Sequence, residues 1–215
     1  MNGPHPLLTY FLDAADGHFP PAEGQVTVLP PLAYGLECAV AFTAHAVIAT
    51  ALPAAEVHAQ GPDGYGGSMA PDFLRYLAGR GGWVGVTDAV LVARGTPGPP
   101  QLPRRTDADD HPRVRYAREL RTDVGVYGDE RGLVTLANGV AGRRELSIEL
   151  GQPDQDSTGL GRSLLRAALT LVPAGEPVFA AVSPGNARSL RAFLAAGFAP
   201  IGSEVVVRPG RLRPV

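Results

Sequence analysis

The period of the hydrophobic pattern changes within the C-terminal half of the chain. Three short runs, residues 124–128, 132–138 and 144–150, have the composition of strands bounded by turns, and the third alternates apolar with polar positions. Glycine-containing turns at residues 128–132 and 139–142 separate these runs. The pattern therefore predicts an antiparallel meander of three strands.

Helical spacing follows this meander. Apolar residues from Leu160 to Val172 recur every three to four positions until Pro173 and Gly175 end the pattern. We then predict a strand at residues 177–182, a helix at 186–196 closed by Gly197, and a β-branched strand at 201–207. The predicted order over this half is βββαβαβ.

The N-terminal half has a mixed pattern. Residues 25–29, 39–50 and 87–93 have the composition of strands, and residues 71–79 that of a short helix. The apolar run 39–52 is shorter than the roughly 20 residues that span a bilayer, so we interpret it as buried core. The first half could also be a degenerate copy of the second.

A stretch rich in proline, glycine and charge, residues 95–112, interrupts both patterns and indicates a linker or long surface loop. A short helix is predicted after it, at residues 114–120. We therefore divide the chain into an N-terminal α/β region (1–98), a linker or loop (99–112) and a C-terminal core (113–215). The N-terminal region either completes the acceptor side of a site or forms a second, degenerate lobe.

Composition excludes several classes of protein. The 215 residues are 45% hydrophobic and 19% charged, which is typical of a soluble globular protein, and the net charge of -2 favours neither nucleic acid nor membrane as partner. The single cysteine, Cys38, and five scattered histidines offer no disulfide and no metal-ligand spacing, so we expect no metal. With no basic leader before an apolar segment, we expect a cytoplasmic protein.

Gly159-Leu160-Gly161-Arg162 opens the predicted helix that follows the third strand. A helix N-terminus presents unpaired backbone N–H groups that bind anions, and glycine lets phosphate oxygens approach the backbone. Arg162 and Ser163 add a positive charge and a hydroxyl donor. The sequence lacks both a GxxxxGK motif and the third glycine of GxGxxG here, so nucleotide hydrolysis is not supported.

A second motif makes this interpretation more specific. Asn186 begins the later predicted helix and the pair Gly197-Phe198 ends it. Together with GLGRSLL, and with the βββαβαβ order, this segment resembles the GNAT superfamily of N-acetyltransferases over residues 124–207. The resemblance implies an α/β fold with a mixed, mostly antiparallel central sheet flanked by helices.

The resemblance also implies a function and a set of binding residues. An acetyl group would pass from acetyl-CoA to a primary amine of a small molecule or peptide by direct attack, without metal. The third strand would bind the pantetheine arm, as would Asn186, and the helix N-terminus would hold the pyrophosphate. The implied cofactor-binding residues are Leu146, Ile148, Leu150, Gly159, Leu160, Gly161, Arg162, Ser163 and Asn186.

Two residues depart from the family pattern. Asp156 stands where the family has glutamine or arginine, with Gln155 as an imperfect substitute, and Phe193 stands where many members have a tyrosine that protonates the thiolate. These departures favour the alternative of a noncatalytic acyl-CoA-binding or regulatory module.

Glu145 and Glu149 are the candidate general bases. They share one face of the third strand with Ser147, opposite Leu146, Ile148 and Leu150. The alternative to a catalytic role is that this polar face is only solvated and that Arg143 and Arg144 screen its negative charge. A backbone N–H of the same strand would stabilise the thioester oxyanion.

Four other features have structural interpretations. We interpret His45 as a satisfied buried histidine and Cys38 as a small buried hydrophobe. The pattern of the glycine-rich residues 61–67 predicts a flexible loop able to cover a substrate, and we interpret the arginines between residues 104 and 121 as a solvated face. Exposed β-branched residues within Glu204 to Val207 would allow strand pairing across a homodimer.

Overall fold

The computed structural model describes residues 4–151 and 159–210, which fall into two compact units. One unit is Met1–Val90 together with Ile201–Val215, and the other is Leu91–Pro200. The helices are α1 (Leu7–Ala15), α2 (Ala54–Ala59), α3 (Pro71–Ala78), α4 (Pro112–Leu120), α5 (Leu160–Leu169) and α6 (Ala187–Ala195). The strands are β1 (Val26–Leu29), β2 (Glu37–Phe42), β3 (His45–Ala49), β4 (Trp83–Val84), β5 (Asp88–Arg94), β6 (Thr122–Asp129), β7 (Gly132–Asn138), β8 (Arg144–Leu150), β9 (Pro177–Val182) and β10 (Ala199–Arg208).

In the first unit the strands follow the order β1-β3-β2-β10, with β4 on β10. β1 pairs with β3 in parallel, and the other neighbours pair antiparallel. Side chains of α2 and α3 bury a core against this sheet. Its buried members are Ala39, Ile48, Val57, Phe73, Leu74, Leu77, Ala78, Val205 and Val207.

In the second unit the strands follow the order β9-β8-β7-β6. The predicted meander is confirmed: β6, β7 and β8 are antiparallel, in a register that places Thr135 of β7 opposite both Val126 and Ser147. Because opposite residues share a face of the sheet, Val126 and Leu133 lie on the face that Glu145, Ser147 and Glu149 share. Val114 of α4 packs on this face, in a cluster with Ala108, Val126 and Leu133.

The mixed α/β class, with mostly antiparallel strands flanked by helices, is confirmed, and so is the element order from β6 to β10. Predicted bounds for β8 and β9 agree residue for residue with the structure. The domain division stays a prediction, and the two compact units divide the chain at other points. Residues 103–105 of the predicted linker bond to β6, for example Arg105 N–H to the Val126 carbonyl at 2.9 Å.

The structure of the first unit differs from the expectations at three points. The single strand predicted at residues 39–50 is a hairpin, since the chain reverses at Thr43 and Ala44 between β2 and β3. Both strands are buried, so the pattern carries no period that marks the turn. Two helices, α1 and α2, were not predicted. Residues 203–207 pair with β2, and Val205 and Val207 are fully buried, so they provide no exposed edge for a dimer.

Candidate functional site

β8 and β9 part after a single position of pairing. The two parallel strands register at Glu145 with Phe179, although β8 continues to Leu150 and β9 to Val182. Part of the β8 backbone beyond Leu146 therefore has no ladder partner on the β9 side among the described residues. An extended ligand carrying amide groups can bond to such a strand edge.

α5 begins beyond the carboxyl end of β8 with a residue that suits an open N-terminus. Gly159 has φ +101°, a conformation that side chains with a Cβ rarely adopt, and it provides no side-chain cap. Ser163 N–H donates to the Gly159 carbonyl at 2.8 Å, so the helix starts here. The amides of Leu160, Gly161 and Arg162 have no acceptor within the helix, and amides at such a helix N-terminus can bind an anion.

Gly161 has a packing role that the sequence did not indicate. A Cβ at this position would lie 3.3 Å from Cβ of Ala192 and 3.8 Å from Cδ1 of Leu150. The residue is buried where α5 crosses α6, and it allows the two helices to approach closely. A bulky residue at Gly161 would therefore disturb packing as well as any bound phosphate.

Arg131 brings a second positive charge to the start of α5. Its Nη1 donates to Ser163 Oγ at 2.6 Å, and its Nε donates to Asp129 at 3.0 Å. The hydrogen bonds from this guanidinium lower the pKa of the Asp129 carboxyl. Arg131 thus reaches from the β6–β7 turn to the helix terminus, where anions are favoured. The sequence analysis missed this residue because the contact spans 32 positions.

Asn186 caps α6 beyond the carboxyl end of β9. Its Oδ1 accepts from Ser189 N–H at 3.1 Å, so the predicted helix start is confirmed. The bond occupies the side-chain oxygen and leaves the amide NH₂ as a donor on an exposed residue. Contact with a pantetheine arm stays a prediction.

Glu145 is buried between two arginines. Its carboxylate pairs with Arg121, which follows α4, and with Nη2 of Arg143 at 3.1 Å. The Glu145 side chain is 3% exposed and that of Arg143 is fully buried. The Arg143 guanidinium also lies 5.5 Å from the centre of the Phe179 ring, beside the position where β8 and β9 part.

These surroundings make Glu145 a poor proton acceptor. Burial raises its pKa, but the charges of Arg121 and Arg143 and their hydrogen bonds outweigh that effect, so the pKa lies below its ordinary value. A carboxylate held in this way is not reached by an amine and takes up a proton reluctantly. Arg143 and Arg144 do not screen this face as solvated side chains in the expected way, because Arg143 is buried and Arg144 pairs with Glu176.

Glu149, at the other end of the same face, is accessible. Its side chain is 43% exposed, and Arg113 Nε donates to Oε2 at 3.0 Å. His111 Nε2 lies 3.9 Å from Oε1, while Nδ1 of the same ring accepts from Arg113 N–H at 3.2 Å and caps α4. Because Nδ1 accepts a hydrogen bond, the proton of the neutral imidazole ring is placed on Nε2, which faces the carboxylate. Geometry therefore favours Glu149 over Glu145 as a base.

Ion pairs of the two glutamates with Arg113 and Arg121 hold α4 along β8. Arg113 and Arg121 are separated by about 12 Å at 1.5 Å per helical residue, and Glu145 and Glu149 by about 13 Å at 3.3 Å per strand residue. The spacings match, and the helix runs opposite to the strand. His111, Arg113 and Arg121 were missed because the arginine-rich segment was interpreted as a solvated face, which holds for the pairs Arg105–Asp107 and Arg118–Asp109.

The remaining predicted cofactor residues differ in exposure. Leu146 is 1% exposed, and Ile148 and Leu150 are half-buried. Leu160, Arg162 and Ser163 are exposed at the start of α5. Phe193 is buried edge-on to Phe198, with ring centres 4.9 Å apart, and it offers no proton. Gln155 and Asp156 lie outside the described residues.

Features of the first unit match their structural interpretations in part. Cys38 is fully buried. His45 is 8% exposed and its Nε2 lies 3.0 Å from Thr27 Oγ1, but Nδ1 has no partner among the described residues, so the histidine is only half satisfied. The loop 61–67 packs on the β2–β3 turn, where a Cβ on Gly64 would overlap the Ala44 backbone.

Within residues 4–151 and 159–210, no three histidine, cysteine or acidic side chains are grouped as metal ligands. Over the same residues, none of the helices is both long and apolar enough to cross a membrane.

No protein-family model and no curated protein matches the sequence. The solved structures that resemble part of it include the following three. A protein assigned to the GNAT acetyltransferase family from Novosphingobium aromaticivorans is 15% identical, with TM-score 0.39, over 61% of this chain and 69% of that one. A GCN5-related N-acetyltransferase from Kribbella flavida is 13% identical, with TM-score 0.38, over 61% of each chain.

The third structure is a conserved protein of unknown function from Staphylococcus epidermidis, 12% identical with TM-score 0.38, over 64% of this chain and 66% of that one. Two of these three structures are described as GNAT-type acetyltransferases. This is the family that the two sequence motifs resemble.

Proposed function

We propose that the chain is an N-acetyltransferase that moves an acetyl group from acetyl-CoA to a primary amine. The observation that carries the proposal is the parting of β8 from β9 after Glu145 and Phe179, with α5 and α6 both beginning beyond the open ends of these strands. The open edge of β8 offers backbone hydrogen-bond partners to an extended arm, and the helix N-termini offer amides to a pyrophosphate. Acetyl-CoA has both chemical parts.

The residues present fit this donor. The free backbone edge at Leu146, Ile148 and Leu150 suits the amides of pantetheine. The amides of Leu160, Gly161 and Arg162 suit the pyrophosphate, with the side chains of Arg162, Ser163 and Arg131 beside them. Asn186 adds amide donors at the start of α6.

Glu149 is proposed as the base. It takes a proton from the acceptor ammonium, directly or through water, and the neutral amine then attacks the thioester carbonyl carbon. The C–S bond breaks as the amide forms, and the second proton that the attacking nitrogen loses passes through water to the leaving thiolate, since Phe193 has none to give. A backbone N–H of β8 would stabilise the oxyanion. Glu145 is assigned to fixing α4 instead.

The alternative is a noncatalytic acyl-CoA-binding or regulatory module. The buried Phe193 favours it, because the family's proton donor is absent at this position. Both candidates require donor binding, so turnover distinguishes them. We also propose a small-molecule or peptide acceptor, a cytoplasmic location and a homodimer.

Thiol release from acetyl-CoA in the presence of a panel of small amines and peptides tests the proposal. We expect turnover with at least one acceptor and a loss of roughly 10²- to 10⁴-fold in kcat for Glu149→Gln, because a general base contributes about that much. Glu176→Gln is a matched control, since Glu176 is also an exposed acid paired with an arginine. Donor binding without turnover across the panel would favour the module.

A further inference from the structure

A second candidate ligand site lies in the first unit, at the carboxyl end of α3. A depression of about 590 Å³ is lined by Leu52, Arg75, Tyr76, Gly79 and Arg80. Leu52 supplies an apolar wall, Tyr76 a half-buried ring with a hydroxyl, and the two arginines supply positive charge. Nothing in the proposed acetyl transfer uses these residues.

The two guanidinium groups are not engaged elsewhere. Among the described residues, neither Arg75 nor Arg80 forms a side-chain hydrogen bond or ion pair, whereas Arg105, Arg118 and Arg144 each pair with an acid. Two unpaired guanidinium groups lining one depression repel each other, and an anion between them relieves that repulsion.

Helix capping does not account for these arginines. Cations often stabilise a helix C-terminus by neutralising its last carbonyl groups. Here the carbonyls of Arg75 and Tyr76 accept from Gly79 N–H at 3.0 Å, and that of Ala78 accepts from Gly210 N–H at 2.9 Å. Backbone donors therefore satisfy three of the last four carbonyls of α3, and the arginine side chains stay available to a ligand.

The loop that carries Arg80 is held in place by its backbone. Gly79 turns the chain at φ +68°, a conformation favoured by glycine. A Cβ at Gly82 would overlap the Ala78 carbonyl, and a Cβ at Gly210 would overlap the Arg80 carbonyl. This close backbone packing holds the backbone of Arg80 at the depression that Arg75 also lines, so binding does not have to order that backbone.

We propose that this depression binds a small organic oxyanion, a phosphate ester or carboxylate attached to an apolar or aromatic body. The arginines receive the oxyanion, because the planar guanidinium fork matches phosphate and carboxylate oxygens. Leu52 and Tyr76 receive the apolar body. The site is separate from the donor site of the second unit, so its test is independent of the proposed acetyl transfer.

Titration with phenyl phosphate and with benzoate, followed by two-dimensional ¹H–¹⁵N NMR, tests the proposal. We expect saturable shifts of the amides from Arg75 to Gly82 with at least one of the two probes, and none with benzyl alcohol, which lacks the charge. The two charged probes show whether phosphate or carboxylate is preferred. Arg75→Gln with Arg80→Gln is expected to weaken binding about tenfold to hundredfold.

Arg191→Gln is the matched control, because Arg191 is an exposed helical arginine of the second unit. It should leave the affinity unchanged. Exposed arginines are replaced in both cases, so the thermal midpoint is expected to stay the same and to confirm folding. Equal affinity in the double variant and the native protein would overturn the proposal, as would the absence of saturable shifts at residues 75–82 with both charged probes.

Discussion

The two ends of the polar face of β8 carry the same side chain in different surroundings. Glu145 is buried and held by Arg121 and Arg143, whereas Glu149 is 43% exposed and contacts Arg113 beside His111. In the sequence the two glutamates are equivalent, four residues apart on one face of one strand. Burial and the number of arginine partners give them different roles.

One end of β8 therefore serves stability and the other end serves chemistry. A buried carboxylate with two partners contributes to folding, because its loss leaves guanidinium charge without compensation. A half-exposed carboxylate contributes little to folding and stays accessible to an incoming amine. The same reasoning applies to the arginines, since Arg121 is 13% exposed and Arg113 is 37% exposed.

The largest expected effect on stability follows from Glu145→Gln. We expect the free energy of unfolding to fall by about 3–5 kcal/mol, because Arg121 and Arg143 lose their shared counter-charge inside the protein. Urea unfolding measured by circular dichroism gives this value. Glu149→Gln is the control, expected within about 1 kcal/mol of the native protein. Equal losses in the two variants would contradict the distinction between the two ends.

The pH dependence of stability gives a smaller effect with a defined sign. The pKa of Glu145 lies below its ordinary value of 4.5, so its contribution is present above about pH 4.5 and is lost as the pH falls through the lower folded pKa. The stability difference between the native protein and Glu145→Gln should therefore narrow below pH 4.5. Subtracting the two curves removes contributions from Asp107 and Asp129, whose pKa values are also lowered. A stability difference that stays constant down to pH 3 would show that ionised Glu145 does not stabilise the fold.

The smallest effect is expected at the exposed end. Arg113→Gln should lower the free energy of unfolding by at most about 1 kcal/mol, and this loss should be smaller at 1 M salt, where exposed ion pairs are screened. Arg121→Gln, measured under the same conditions, should cost more and depend less on salt because its pair with Glu145 is buried. Similar losses with similar salt dependence would show that α4 is fastened equally at both ends.

Much of the second unit could be predicted from local patterns. Short strand-like runs separated by glycine-containing turns identified β6 to β8, and helical spacing with Gly197 identified α5 and α6. Asn186 was placed correctly as the start of α6 because N-capping is a local signal. The β2–β3 hairpin could not be predicted, since both strands are buried and their turn contains neither glycine nor proline.

The site was harder to predict because its contacts join distant segments. Nothing near Glu145 in the sequence indicates Arg121, and nothing near Ser163 indicates Arg131. Gly161 was assigned to phosphate approach, but its contact with Ala192 of α6 gives it a second, packing role. A single sequence records which residues are present, and tertiary packing determines which of them meet.

Calorimetric titration with acetyl-CoA, compared with a coenzyme that lacks the pyrophosphate, tests the donor site most directly. The most informative variant is Arg162→Glu, which reverses a charge on an exposed residue in the first turn of α5, where an acidic side chain suits the helix. Arg166→Glu makes the same change one turn further along. We expect tight binding that depends on the pyrophosphate and is weakened at least tenfold by Arg162→Glu but little by Arg166→Glu. No binding, or equal weakening by the two variants, would contradict the placement of the acyl donor at the start of α5.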